Sequence, residues 1–240
     1  CNVFVTLSSG TRVQVKVEFE KPAPLTGPME EMGAFRVFKQ PDKSGFCGWT
    51  VPLADQNLVT ITAKYLENRG QADLCGMARA ETGHVVDELS KGAIPQRAAP
   101  PDAESLAIKY ACPLLDSSTV KHVLGADADS PETGFGDWEC LWKNRTSGLS
   151  VLLAFDRNNR PLTDADGRRE EFSNREVRIR QEGDDKCRAR VAYRRILDGN
   201  GNQAYELLKI LVEGSQTPDQ LCRPATELAA AAAAKLPPSR

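Results

Sequence analysis

Only two histidines occur in the chain, and its seven cysteines include no Cys-x-x-Cys pair. That shortage argues against a zinc site and against thioredoxin-like redox chemistry. No apolar run approaches the roughly eighteen residues of a membrane-spanning helix. The alanine tract 229–234 is too short and too weakly apolar to serve as one. Charge of one sign is also missing: 31 Lys and Arg face 33 Asp and Glu, a net charge of −2. The whole chain therefore carries no electrostatic footprint for nucleic acid or an anionic membrane. Gly-x-Ser-x-Gly, His-Glu-x-x-His and a phosphate-cradling glycine loop are all absent. His84 and His122, each followed by a valine, have no nucleophile or second histidine at a catalytic spacing. Both read as helix-surface or core-edge residues. The sequence calls for no metal and no cofactor, and it points away from an enzyme.

What the chain does contain is a repeat. Ser9-Gly10 opens an apolar strand whose following loop carries Pro24-Leu25-Thr26, and Ser147-Gly148 opens another followed by Pro161-Leu162-Thr163. Cys47 leads a strand and Asp73-Leu74-Cys75 starts a helix; Cys187 leads a strand and Asp219-Gln220-Leu221-Cys222 starts a helix. In this register Cys1 falls opposite Cys140. The expected fold class is α+β: two tandem copies of a mainly antiparallel sheet, each packed by a C-terminal helix and stapled by disulfides. The copies span residues 1–95 and 103–240, joined by a Pro-rich linker at 96–102. With 240 residues, 40% of them hydrophobic and 27% charged, the chain can build two such cores. The Cys112-Pro113-Leu114-Leu115 stretch and the short helix expected at 118–124 have no counterpart in the first copy. The first copy is therefore expected to be incomplete at its N-terminus, with the missing helix and cysteine upstream of Cys1. A second reading makes Cys1 the acylated first residue of a mature lipoprotein, and the match to Cys140 ranks it lower.

Within each copy the elements follow from period. Val13, Val15, Val17 and Phe19 alternate with polar residues, as do Leu149, Val151, Leu153 and Phe155 in part, which marks half-buried antiparallel strands. Loops are expected at 21–32 and 156–170, then short third strands at 35–38 and 177–179. Residues 187–197 and 203–213 form a hairpin across Asp198-Gly199-Asn200-Gly201, and 47–53 with 58–66 form its copy. The turn superficially resembles a calcium loop, but Lys209 stands where the bidentate glutamate belongs. Thr217 caps the last helix, whose stripe Leu221, Ala225, Leu228 and Ala232 should face the sheet. The first helix puts Leu74, Ala78, Val85 and Leu89 on a similar stripe and stops at Gly92.

Free buried thiols are the bland reading of the cysteines, but duplicated spacing favours disulfides, and disulfides imply an oxidising compartment. A hairpin goes out and returns to its starting cysteine, and the helix folding back carries the next cysteine over that spot. This gives Cys47–Cys75 and Cys187–Cys222, leaves Cys112–Cys140 as the third pair, and leaves Cys1 without an intrachain partner. Trp49, Trp138 and Trp142, all near cysteines, read as core residues. Asn144-Arg145-Thr146 fits an N-glycosylation sequon. Asp127, Asp129, Glu132 and Asp137 read as a solvated acidic loop rather than a cation site.

One constellation stands out for binding. Val177, Ile179, Val191 and Tyr193 alternate with Arg178, Arg180, Arg190 and Arg194, and Arg188 shares their phase, so all five arginines are expected to point away from the core. On neighbouring strands they form a stripe able to hold phosphate or carboxylate. The competing and favoured reading is a solvated face neutralised by Glu176, Glu182 and Glu206.

Taken together, Cys112-Pro113-Leu114-Leu115, Cys140-Leu141-Trp142, Cys187 and Leu221-Cys222-Arg223-Pro224-Ala225 through Leu236-Pro237 resemble an actinobacterial extracytoplasmic family, domain of unknown function 3558. The resemblance covers residues 106–237 well and 1–95 more loosely. It implies a secreted or lipid-anchored location and carries over no catalytic residue. The functional expectation is a non-enzymatic extracytoplasmic binding module of the cell envelope. Its partner is an unknown envelope ligand or protein, and it meets the membrane only through an N-terminal anchor. The alternatives are a sensor or scaffold ectodomain of a membrane protein such as a receptor kinase, and a hydrolase with an unrecognised site.

Overall fold

Alternating valines make the first hairpin. Asn2–Thr6 (β1) pairs with Arg12–Glu20 (β2), and Val13 and Val15 turn inward while Gln14 and Lys16 stay partly exposed. Four more strands follow: Met29–Met32 (β3), Phe35–Lys39 (β4), Phe46–Pro52 (β5) and Leu58–Tyr65 (β6). All pair antiparallel in the order β1-β2-β6-β5-β4-β3. The helix Leu74–Ser90 (α1) packs on one face of this sheet against Val13, Val37, Trp49, Val51 and Ile61. Asp73 caps α1 by accepting from the Gly76 amide at 2.8 Å, and Gly92 ends it with φ +74°. In this computed structural model, residues 2–41, 43–66, 70–92, 101–125, 130–198 and 201–238 are described. Cys1, Asp127, Asp129 and most of the 96–102 linker lie outside them.

The chain divides into two units, residues 1–98 and 99–240. The second opens with two short 3-10 turns, Leu106–Ile108 and Cys112–Leu114, and the helix Ser117–Leu124 (α2). Its strands are Glu132–Thr133 (β7), Glu139–Lys143 (β8), Ser150–Asn158 (β9), Arg168–Phe172 (β10), Arg175–Gln181 (β11), Lys186–Leu197 (β12) and Gln203–Glu213 (β13). The helix Pro218–Lys235 (α3) closes the unit, with a capping box between Thr217 and Gln220. The sheet runs β10-β11-β12-β13-β9-β8-β7. Apart from β7, that is the strand order of the first unit, element for element. The ladders carry the match to single residues. Cys47 pairs with Ala63, Ala63 with Val15 and Val15 with Val3; Cys187 pairs with Val212, Val212 with Val151 and Val151 with Trp142.

Disulfides join Cys47–Cys75, Cys112–Cys140 and Cys187–Cys222. Two of them tie the start of a hairpin strand to the N-terminal part of the helix that crosses it. The α1 stripe differs from expectation, whereas the expected α3 stripe of Leu221, Ala225, Leu228 and Ala232 is buried throughout. In α1 the buried line is Leu74, Ala78, Thr82 and Val86, and Val85 and Leu89 stay partly exposed. In α3 two lines are buried, Leu221-Ala225-Ala229-Ala233 and Leu228-Ala232-Leu236. The strands β3 and β10 fall where loops were expected. Both are short sheet-edge strands (Met-Glu-Glu-Met and Arg-Arg-Glu-Glu-Phe) whose charge hides any apolar alternation. Trp49 and Trp142 are core residues, whereas Trp138 is 41% exposed. Its indole donates to the Ala107 carbonyl at 3.1 Å and meets Phe135 edge-on. The Asn144 amide is buried, accepting from the Thr146 and Ser147 amides and donating to the Leu124 carbonyl, so the sequon holds a structural turn.

Replacing Cys187 and Cys222 together by alanine is expected to lower unfolding free energy by about 4 kcal/mol in the chain-entropy model. Urea denaturation of the oxidised variant and parent measures it, and an unchanged midpoint would show that the crossing needs no covalent tie.

Candidate functional site: an arginine-bearing sheet face

The strands β11 and β12 are neighbours, and their register places Arg178 opposite Arg190 and Arg180 opposite Arg188. Like charges directly across a ladder repel, so the arrangement requires counter-charge. It comes largely from the chain segment between β9 and β10. That segment makes a 3-10 turn, Asp164–Asp166, stabilised by a capping box in which Asp166 accepts from the Thr163 amide. Asp166 is 3% exposed and receives Arg160 Nη1 at 2.7 Å and Arg190 Nη1 at 2.9 Å. Hydrogen bonds from Arg160 outweigh the opposing effect of burial and, with the Thr163 amide, hold its carboxyl well below the usual carboxylate range. Arg178, also buried, donates to Asp164 and Glu176, both at 2.6 Å. The Asp164 hydrogen bond in turn holds the Arg178 guanidinium above its ordinary value.

Arg194 corrects the expectation of a single stripe. A β-bulge lies between Ala192 and Arg194, and past it Arg194 stands opposite Glu206. Glu206 shares the phase of Leu208 and Ile210, so the extra residue turns Arg194 to the core side of the sheet. There Glu206 is buried and accepts from Arg194 Nε at 2.7 Å, from Ser105 Oγ at 2.5 Å and from the Leu106 amide at 3.2 Å. Asp102 adds a second contact to Arg194 at 3.3 Å. This group ties the entry segment to the sheet and is structural. Arg175 was not singled out from the sequence. It is buried under Tyr193, its guanidinium 5.2 Å from the ring centroid, and donates to the Leu236 and Pro237 carbonyls at the end of α3. Cation stacking and helix-end capping together explain its burial.

The outer face is thus neither a bare stripe nor a solvated one. On this face Glu176 and Glu182 pair with Arg178 and Arg188 and are half-buried, whereas Glu206 pairs with Arg194 on the core side. Asp164 and Asp166, the main counter-ions of Arg178 and Arg190, lie in a stretch read only as loop, and sequence spacing gives no sign that it folds over the sheet.

The least compensated pair is Arg180 with Arg188. Arg188 has one carboxylate, Glu182 at 2.5 Å, and Arg180 donates to the Ala165 carbonyl at 2.8 Å. The Nε atoms of Arg188 and Arg190 are buried without a hydrogen-bond acceptor. Burial, and then the Arg190 charge, pull the Arg188 guanidinium below its ordinary value. Among the described residues no group of three or more His, Cys, Asp and Glu is placed to hold a metal ion. His84 and His122 are exposed, one on α1 and one on α2. Compared with protein-family models, with curated proteins and with solved structures, the chain matches none.

Asp166→Asn is expected to cost about 3 kcal/mol at neutral pH, because two guanidinium groups lose a buried charged acceptor. The pH dependence follows from the direction of the shift. A carboxyl depressed in the folded state contributes stability that is complete above its unfolded value of about 4 and is lost as pH falls through the folded value. Urea midpoints of parent and variant should therefore converge on acidification, and a gap independent of pH would contradict the assignment.

Proposed function

We propose that the protein is a non-enzymatic extracytoplasmic binding module of the cell envelope, with the Arg180–Arg188 pair as its anion-recognising point. The observation that carries this reading is the charge balance at that pair. Arg180 and Arg188 stand opposite each other on the ladder, and of the two only Arg188 has a carboxylate, Glu182, while Arg180 donates to the Ala165 carbonyl. A phosphate or carboxylate on a ligand would supply the missing negative charge, and guanidinium groups engage such groups in bidentate fashion. Arg178 and Arg190 would shape and support the pair rather than contact the ligand, since each already has carboxylate partners, and Arg194 lies on the core side of the sheet.

The extracytoplasmic placement rests on three disulfides in two units, which persist in oxidising compartments. No helix among the described residues is long and apolar enough to cross a membrane. The sequence resemblance to domain of unknown function 3558 belongs to the same proposal and adds an envelope location without adding an activity.

The test is titration of the oxidised protein with inorganic phosphate and with phosphatidylglycerol vesicles at low and high salt. Salt-sensitive binding should weaken about tenfold or more in the Arg180→Gln, Arg188→Gln double variant, the loss of one charged bidentate contact being worth roughly 1.5–3 kcal/mol. Arg194→Gln should leave affinity unchanged. No binding by the parent, or binding that survives the double variant, would remove the site.

A further inference from the structure

The outer face of the second sheet carries more than its arginines. The ladder that sets Arg180 opposite Arg188 continues across the sheet as one row. Arg188 stands opposite Leu211, Leu211 opposite Leu152 and Leu152 opposite Leu141. The three leucines share the phase of the arginines, alternating with the core residues Val212, Val151 and Trp142, and each is partly exposed. An antiparallel sheet packed on one side ordinarily turns polar residues to the other. The first unit does so: counted from Cys47 and Cys187, its matching row reads Gly48, Thr62, Lys16 and Asn2. The same strand order therefore forms without leucine in this row. The strip also has defined ends and sides. At one end are the two guanidinium groups, of which only Arg188 has a carboxylate. At the other the row passes to Glu132, which Lys143 contacts at 2.8 Å. The flanking rows carry charge, Glu213-Ser150-Lys143 on one side and Lys209-Ala154-Glu139 on the other. The apolar strip is thus one side chain wide and, at about 4.8 Å per strand, roughly 10 Å long from Leu211 to Leu141.

We propose that this row binds a single-chain anionic amphiphile, with its phosphate or carboxylate head at Arg180 and Arg188 and its hydrocarbon chain along Leu211, Leu152 and Leu141. The inference rests on the anion site proposed above and names its ligand class. Charge orients the molecule, because the arginine end attracts an anionic head and Glu132 at the far end repels one. Width selects a single chain, because a second chain would lie over the charged flanking rows and strip them of water. Covering the leucines supplies an apolar contribution that a bare phosphate lacks. The first unit, with Gly48 in place of Arg188 and polar residues in place of the leucines, offers neither half of this site.

The test is titration of the oxidised protein with inorganic phosphate, butyl phosphate, octyl phosphate and octanol, each below the concentration at which it forms micelles. Octyl phosphate should bind about tenfold or more tighter than butyl phosphate, a gain of at least about twofold per methylene. Octanol should bind at least about tenfold more weakly than octyl phosphate, since it lacks the charged head. Leu211→Thr combined with Leu152→Gln should remove the difference between butyl and octyl phosphate and leave inorganic phosphate binding unchanged, with a urea midpoint close to the parent's. The chain-length series on the parent decides the matter whether or not that variant folds. Equal affinities for the three phosphates would overturn this proposal and leave the anion site standing, whereas no affinity for any of them would remove both. Octanol binding as tightly as octyl phosphate would separate the strip from the arginines and overturn the proposal. Binding to phosphatidylglycerol vesicles without binding of dispersed octyl phosphate would assign the face to a membrane surface and overturn it as well.

Discussion

A single crossing organises each half of this protein: a helix laid over an antiparallel sheet and tied covalently near its N-terminus to the strand beneath it. The tie fixes which helical residues face the sheet. In both units the line that begins next to the cysteine is buried, Leu74-Ala78-Thr82-Val86 and Leu221-Ala225-Ala229-Ala233. With that line set, the apolar faces of Val13, Val15 and Ile61, or of Val151, Leu153 and Ile210, have a fixed surface to meet. A sheet with one apolar face must bury it, and a small unit benefits most when a cross-link narrows the alternatives. The alanines of α3 let the helix approach closely enough to be covered on a second side.

The opposite face of the second sheet follows different physics. Four arginines on two adjacent strands would repel, and the chain answers with carboxylates drawn from a loop. Asp166 is the centre of that answer, since it serves two arginines and its own 3-10 turn at once. Breaking an ion pair inside protein leaves the surviving charge stranded. The loop and the sheet face are therefore one mechanical unit. The arginines were visible as chemistry but act first as architecture.

Much of the fold was legible in the sequence because its signals are local or repeated. Alternation gave β2 and β9, the Asp198 turn gave the long hairpin, and the paired cysteine spacings gave the staples and the duplication. The parts that escaped depend on tertiary context. The edge strands β3 and β10 carry too much charge to show a period. A one-residue bulge at Tyr193 reverses the side on which Arg194 lies, and no local pattern announces it. Likewise Val85 and Leu89 look as eligible for the core as Thr82 and Val86, and only the disulfide-fixed rotation of the helix separates them. At the arginine face the residues were readable, but their partners Asp164 and Asp166 were not, because contacts closed by a folded-over loop leave no spacing in the chain.

The strand β1 has a consequence for handling. In the second unit the matching strand β8 is bordered by β7, whereas among the described residues β1 ends its sheet and presents Val3 and Phe4 at 47% and 58% exposure. An unbordered strand edge with apolar side chains is a template for adding further strands. Colloidal behaviour in concentrated solution should therefore be governed by the first unit. Lysine or proline placed on β1 would be the natural gatekeeper against fibrous or edge-to-edge association.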